Sequence, residues 1–251
     1  MLFLTQMKLN SRFNEVFNNK PILGMIHLAG FDPVKRAIKE LKIFEQEGID
    51  GAIIENYHGL LEAVIHTLKV VSKLKINIII GVNVLPNEFQ LSLPMAAEYN
   101  ADFIQLDYVA GRYVEGELDF KAYSNLKKQF QDIIVLGGVH PKYFTPVAGS
   151  NLEEDLKQGV QRAEAIVVTG EATGKETPLE KIKYFRKMLG KHPLIVGAGL
   201  TPENAYEQLI MADGAIVGTS LKENDDTHNE VDKYRVRDFM SVVKKAREHK
   251  E

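Results

Sequence analysis

Two short glycine-containing turns in the last quarter of the chain carry residue types that could bind a phosphate group. Each turn directly follows an apolar run, residues 193–196 and residues 214–217. Glycine lets the backbone approach a ligand closely, and a helix that we expect to begin at residues 201–203 would add the positive end of its dipole. The predicted phosphate-binding residues are Gly197, Ala198, Gly199, Gly218, Thr219 and Ser220.

Four ionisable side chains that follow other apolar runs could transfer protons. Imidazole and carboxyl groups placed beside a carbonyl can remove a proton from carbon and return it, so we expect His27, Glu55, Asp107 and His140 to be catalytic. Asn83, Thr169, Gly170 and Lys222 are expected to bind the substrate, Lys222 from a loop that closes over the ligand.

Each of these residues also has a structural interpretation. His27 could be a core histidine, Glu55 and Asp107 could cap the next helix, and Asn83 could bridge two loops. Lys142 is a weaker candidate for a Schiff base, because it follows a proline in a predicted loop and such lysines need burial. The histidines and acids could also hold Mg²⁺ or Zn²⁺. No local spacing supports a metal, so no cofactor is assigned.

The elements that would position these residues follow from a repeat of short apolar runs. One set of runs begins at Pro21, Asn77, Asp132 and Pro193, and a second set alternates with it and opens with an acid at Asp50, Asp102, Glu164 and Asp213. Continuous apolar runs are typical of parallel strands buried on both faces, and the segments between them have helical periodicity. The pattern predicts an α/β fold, a single (β/α)8 TIM barrel over residues 1–251.

Two further expectations concern the arrangement of this barrel. Residues 1–19 are predicted to form an N-terminal capping helix, with Phe13, Val16 and Phe17 on one face. A doubly wound open sheet is the alternative fold, but eight evenly spaced units favour closure. In a closed barrel the glycine turns follow strands 7 and 8, and the polar residues gather at the C-terminal face where barrel enzymes place their chemistry.

Composition narrows the classes of function. The 251 residues carry a net charge of −3 and no cysteine, which excludes disulfides, thiolate nucleophiles and cysteine-based zinc sites. We expect no nucleic-acid partner, since no basic run is present. No apolar run suggests a signal peptide or a membrane span, so we expect no membrane insertion and a cytoplasmic protein. Many barrels self-associate, so we also expect a homo-oligomer.

Several motifs of this chain resemble those of the BtpA/SgcQ family. They lie at residues 21–28, 50–56, 81–85, 167–174, 197–204 and 213–222, in the family's order and over nearly the whole chain. The resemblance implies a ribulose-phosphate-binding-type barrel but no particular reaction, since members are named for photosystem I assembly or for a sugar-utilisation gene cluster. The chain departs from the family at residues 105–107 and 137–142, where strands 4 and 5 end.

Three functions remain open at this point. The first is an isomerase, epimerase or lyase that acts on a phosphosugar, a small phosphorylated substrate, by acid–base chemistry. The second is a hydrolase or transferase of nucleotides or phosphoribosyl compounds, for which Tyr57, Tyr108 or Tyr113 would stack a base. The third is a non-catalytic BtpA-like assembly or regulatory protein, which would expose a large apolar patch away from the barrel mouth.

Overall fold

A computed structural model describes residues 12–249 and shows a closed barrel of parallel strands in which each strand pairs with its neighbours in the chain, the last with the first. The barrel strands are β1 (Ile22–Ile26), β2 (Gly51–Glu55), β3 (Ile79–Asn83), β4 (Phe103–Leu106), β5 (Ile134–Gly138), β6 (Ala165–Thr169), β7 (Leu194–Gly197) and β8 (Gly214–Val217). The predicted (β/α)8 TIM barrel is therefore confirmed.

Helices alternate with the strands along the chain. They are α1 (Pro33–Glu47), α2 (Leu61–Val71), α3 (Phe89–Glu98), α4 (Phe120–Gln129), α5 (Leu152–Gly159), α6 (Leu179–Leu189), α7 (Ala205–Leu209) and α8 (Lys233–Glu248). A two-stranded antiparallel hairpin, Arg112–Tyr113 with Gly116–Glu117, lies in the loop between β4 and α4. Among residues 12–249, no helix has the length and apolar character that crossing a membrane requires.

Side chains alternate between the two faces of each strand, as the period of a β-strand dictates. In β1, Leu23 and Met25 belong to the cluster that fills the barrel, whereas Ile22 and Ile26 pack in the cluster beneath the helices. The same alternation in the other strands divides the core into an inner and an outer layer. It also directs the next inward position of each strand toward the barrel mouth.

Two aromatic side chains from the N-terminal segment close the opposite end of the barrel. Residues 12–16 are helical, and Phe13 and Phe17 join the inner cluster, where the ring of Phe17 lies 5.4 Å from that of Phe103. The Phe103 ring in turn fills the space above Gly81, since a Cβ added there would lie 2.2 Å from it. The predicted capping helix is present in this part, and residues 1–11 lie outside the described residues.

The four acids that open the even-numbered strands explain why the sequence repeats in pairs of units. Each carboxylate accepts a hydrogen bond from the backbone N–H of a residue at or near the start of an odd-numbered strand, at distances of 2.7–3.0 Å. The pairs are Asp50 with Ile22, Asp102 with Ile80, Glu164 with Val135, and Asp213 with Leu194. A charge-assisted bond of this kind satisfies a buried donor at the bottom rim.

We predict that the packing between β3 and β4 is sensitive to one methyl group. Gly81→Ala should lower the free energy of unfolding by about 1–3 kcal/mol, because its Cβ overlaps the Phe103 ring. Adding Phe103→Leu to that variant should recover part of the loss, since the two positions share one space. Urea denaturation of both single variants and the double variant measures this coupling. Strictly additive effects would show that the two residues do not compete.

Candidate active site

The C-terminal end of the barrel is asymmetric in its residue types. At the inward positions of β1 to β4 and just beyond them stand polar side chains, and at those of β5 to β8 stand small residues. The polar set is His27, Glu55, Asn83 and Asp107, and the small set is Gly138, Thr169, Gly197 and Gly218. The space that the small residues leave open is part of a cavity of about 110 Å³ at the mouth, which we call the central cavity.

Glu55 is held in a fixed orientation at the edge of the central cavity. The residue is 5% exposed, and its Oε1 atom accepts a hydrogen bond of 2.8 Å from Nδ2 of the buried Asn83. Its Oε2 atom lies 3.9 Å from Nε2 of His27. Asn83 therefore positions the carboxyl group, and His27 stands beside the oxygen that remains available.

Burial shifts the ionisation of both carboxyl groups toward neutral pH. It raises the pKa of Glu55 to about 7, with a further contribution from the nearby charge of Asp107. Burial also raises the pKa of Asp107 to about 6, and the positive charge of Lys142 limits the rise. Between pH 6 and 7 the pair thus offers one protonated and one ionised carboxyl group, the combination that acid–base catalysis needs.

His27 is neutral in the same pH range. Burial, reinforced by the charge of Lys222, lowers its pKa well below the usual 6.5. A neutral imidazole can accept a proton or donate a hydrogen bond. Beside Glu55, the imidazole of His27 can therefore act either as a proton acceptor or as a hydrogen-bond donor.

Lys142 also belongs to the site, although the sequence made it only a weaker candidate. Its Nζ atom donates a hydrogen bond of 2.8 Å to Oγ1 of Thr173, and its backbone N–H donates one of 2.9 Å to Oγ1 of Thr169. The side chain lines the central cavity. It brings a positive charge to the two carboxyl groups, although it comes from a loop rather than from a strand.

The predicted phosphate-binding turns border a second cavity, of about 150 Å³, beside the first. We call it the turn cavity. Ala198, Gly199, Gly218, Thr219 and Ser220 line it, whereas Gly197 lines the central cavity. His27 and Lys142 line both. A single ligand that occupies both cavities would therefore contact Lys142 from either one.

The glycines of the two turns are required by packing within the protein. Gly199 has φ +67°, and a Cβ there would lie 2.2 Å from the carbonyl group of Lys175 in the loop after β6. A Cβ at Gly218 would lie 2.9 Å from the imidazole of His27. Absence of a side chain thus lets one loop fold against the β7 turn and lets His27 reach the mouth.

The expected start of the helix after β7 was wrong. Helix α7 begins at Ala205 and is five residues long, and residues 202–204 form a turn. The side chain of Asn204 accepts the Thr201 N–H at 2.9 Å and donates to the Gly199 carbonyl group at 3.0 Å. A helix dipole therefore does not begin at residues 201–203. The turn after β8 instead continues into a short 3₁₀ helix over Thr219–Leu221, with Gly218 directly before it.

The structure does not bring His140 and Lys222 to the mouth. His140 has φ +47°, and its Nε2 atom lies 2.8 Å from Oδ2 of Asp155 in α5. Lys222 is fully buried, with its Nζ atom 3.5 Å from Oε1 of Glu40 in α1. It therefore fixes the loop after β8 to the barrel wall rather than closing over a ligand, and it reaches His27 only through its charge.

Other predicted residues have mixed placements. Thr169 lines the central cavity, whereas Gly170 is buried beneath its own loop, where a Cβ would lie 2.7 Å from the Glu176 carbonyl oxygen. Tyr57 lines the central cavity. Tyr108 and Tyr113 are 8% and 4% exposed and pack against each other and against Phe144, so neither presents a face to a base.

Within the described part of the chain, no cluster of three or more His, Asp or Glu side chains could hold a metal ion.

Fold and site together define a TIM barrel with ionisable groups gathered at its C-terminal mouth. The chain belongs to the BtpA family, which matches it over residues 18–245. It is 30% identical to an uncharacterised protein of Methanocaldococcus jannaschii, over 92% of this chain and 98% of that one. It is 24% identical to the photosystem I biogenesis protein BtpA of Synechocystis sp., over 92% of this chain and 90% of the other.

Among solved structures the barrel is similar to enzymes. Phosphoribosyl anthranilate isomerase from Thermococcus kodakaraensis superposes with a TM-score of 0.62, covering 89% of this chain and 98% of the isomerase. The two sequences are 16% identical. This likeness shows the shared fold.

We predict that the buried carboxyl group of Glu55 lowers stability at alkaline pH. A carboxyl group whose pKa rises from 4.5 to about 7 on folding gives a stabilisation that is complete below pH 4.5 and disappears as the pH rises through 7. Glu55→Gln cannot ionise. Its free energy of unfolding, relative to the wild type, should therefore increase by about 3 kcal/mol between pH 4 and pH 8.

Urea denaturation at several pH values measures this difference. Glu62→Gln, at an exposed position of α2, is the matched control and should show no such increase. A Glu55→Gln difference that is the same at pH 4 and pH 8 would show that Glu55 ionises as readily in the folded as in the unfolded chain.

Proposed function

We propose that this protein is an isomerase, epimerase or lyase that acts on a phosphosugar by acid–base chemistry at the barrel mouth. The observation that carries the proposal is the contact between the two cavities. Glu55 and Asp107 face one cavity, the glycine turns border the other, and His27 and Lys142 belong to both. A substrate with a phosphate at one end and a carbonyl group at the other fits this arrangement.

The phosphate group would occupy the turn cavity. Gly199 and Gly218 line this cavity without side chains, so a phosphate group can approach the backbone of both turns closely. Lys142 borders the same cavity and would supply a full positive charge. Bound in this way, the substrate would extend its carbonyl end into the central cavity.

The proton chemistry would use both carboxyl groups. The ionised one would remove a proton from the carbon beside the carbonyl group, and the protonated one would return a proton to the adjacent atom. The Lys142 ammonium group would stabilise the negative charge that develops on the substrate oxygen. Isomerisation and epimerisation pass through an enediolate formed in this way. In a retro-aldol cleavage the ionised group would instead take the proton of the β-hydroxyl group while the C–C bond breaks, and the protonated group would then protonate the resulting enolate.

The other two functions have less support. A nucleotide enzyme would need a surface on which a base stacks. Tyr57 lines the central cavity, but Tyr108 and Tyr113 are buried in an aromatic cluster. A partner-binding role is favoured by Phe31, whose side chain is fully exposed beside a groove of about 1030 Å³ along α1. That groove lies on the outer face of the barrel and is compatible with catalysis at the mouth. Association into a homo-oligomer stays a prediction.

We predict that the protein exchanges a substrate proton with solvent. Sugar monophosphates of three to six carbons, incubated in D₂O, should incorporate deuterium at the carbon beside the carbonyl group, as measured by proton NMR. Glu55→Gln and Asp107→Asn should each slow the exchange by about 100-fold or more, because each removes a proton-transfer group.

His140→Asn is the control for these variants in the same assay. His140 lines neither cavity and its ring is hydrogen-bonded to Asp155, so its replacement should leave the exchange rate close to that of the wild type. Exchange that persists in Glu55→Gln and Asp107→Asn would contradict the proposed roles. Absence of exchange with every sugar phosphate would contradict the proposed function.

A further inference from the structure

Gln105 lies deeper in the barrel than the acid–base residues. Phe103, Gln105 and Asp107 are two residues apart and therefore share the inward face of β4 and its continuation. Phe103 packs in the inner cluster, Asp107 stands at the mouth, and Gln105 lies between them. It lines the central cavity together with the apolar side chains of Met25, Val167 and Ile216.

The amide group of Gln105 makes no hydrogen bond to any residue in the described part of the chain, and its Oε1 atom is buried. An amide placed among apolar side chains without a partner loses its hydration and gains nothing in return. Buried polar groups in native proteins are nearly always satisfied. The side chain lines the central cavity, so a ligand bound there would supply the hydrogen bonds that this amide does not make within the protein.

The position of Gln105 relative to the turn cavity determines which end of a bound ligand it would contact. Strand β4 lies opposite β8 in the closed barrel, with three strands between them on either side. A ligand with its phosphate at the β8 turn would pass Lys142 and the carboxyl groups before it reached β4. Its far end would then meet the Gln105 amide.

We propose that Gln105 selects substrates that carry hydroxyl groups at the end remote from the phosphate. A hydroxyl group both donates and accepts, as the amide does, whereas an alkyl chain would leave the amide unpartnered. The substrate class is then a linear polyhydroxylated monophosphate. This inference rests on the proposed function for the position of the phosphate and deepens it by naming what the opposite end recognises.

Two pairs of phosphate esters test the selection by isothermal titration calorimetry. Glycerol 3-phosphate is compared with n-propyl phosphate, and ribitol 5-phosphate with n-pentyl phosphate, so that each pair differs only in hydroxyl groups. The wild type should bind the polyol of at least one pair about tenfold more tightly, because the alkyl ester leaves a buried amide unpaired. Inorganic phosphate serves as the probe of the turn cavity alone.

Gln105→Met keeps the length of the side chain and removes its hydrogen bonds, so it should abolish the preference for the polyol and leave the affinity for inorganic phosphate unchanged. Gln90→Met, at an exposed position of α3, is the matched control and should behave like the wild type. Should Gln105→Met fail to fold, Gln105→Asn withdraws the amide by one methylene group and should reduce the same preference.

The outcomes separate this inference from the proposed function. Equal binding of polyol and alkyl esters by the wild type, or a preference that survives both Gln105 variants, would overturn the inference while deuterium exchange could still occur. A preference that depends on Gln105 without any deuterium exchange would support the inference and contradict acid–base catalysis. Failure to bind any of the esters or inorganic phosphate would overturn both.

Discussion

The burial of Glu55 and the partial burial of Asp107 at the barrel mouth form the constraint on which the rest of the site depends. Burial raises the pKa values of Glu55 and Asp107 toward neutrality, at a cost in stability that an ordinary surface carboxylate does not impose. The structure limits this cost with one hydrogen bond from Asn83 and with the charge of Lys142. Groups of this kind are candidates for a functional role, since selection for stability alone would replace them.

The two halves of the barrel mouth differ in the residue types that they contribute to the site. Strands β1 to β4 supply the polar side chains, and β5 to β8 supply small residues and turns that leave room for a ligand. Glycine serves two purposes in the second half: at Gly199 it admits the loop after β6, and at Gly218 it admits the His27 ring. The same two positions therefore shape the turn cavity and hold an ionisable group beside it.

The fold could be predicted from the sequence because parallel strands buried on both faces leave a direct trace in apolar runs. The acids at Asp50, Asp102, Glu164 and Asp213 add to that trace, since each holds a neighbouring strand at the bottom rim. The site residues at the inward positions of the strand ends could be predicted from the same pattern. Gln105 could have been found by counting two residues back from Asp107, along the inward face of β4.

The rest of the site depends on contacts that sequence patterns do not encode. His140 is turned away by a left-handed backbone and by Asp155, and Lys222 is held by Glu40, which is 182 residues distant in the chain. Lys142 reaches the mouth because its loop is fastened to Thr169 and Thr173. Only the folded chain decides which side of a loop each of these side chains occupies.

The most direct test of this account is a pH titration of the two carboxyl groups by NMR of protein labelled with ¹³C at the Glu and Asp carboxyl carbons. Glu55→Gln and Asp107→Asn assign the two resonances by their disappearance. We predict midpoints near pH 7 for Glu55 and near pH 6 for Asp107, and a shift of both when a phosphate ester binds. Midpoints near pH 4 for both groups would contradict the account, because two ionised carboxylates could not share the roles of acid and base at neutral pH.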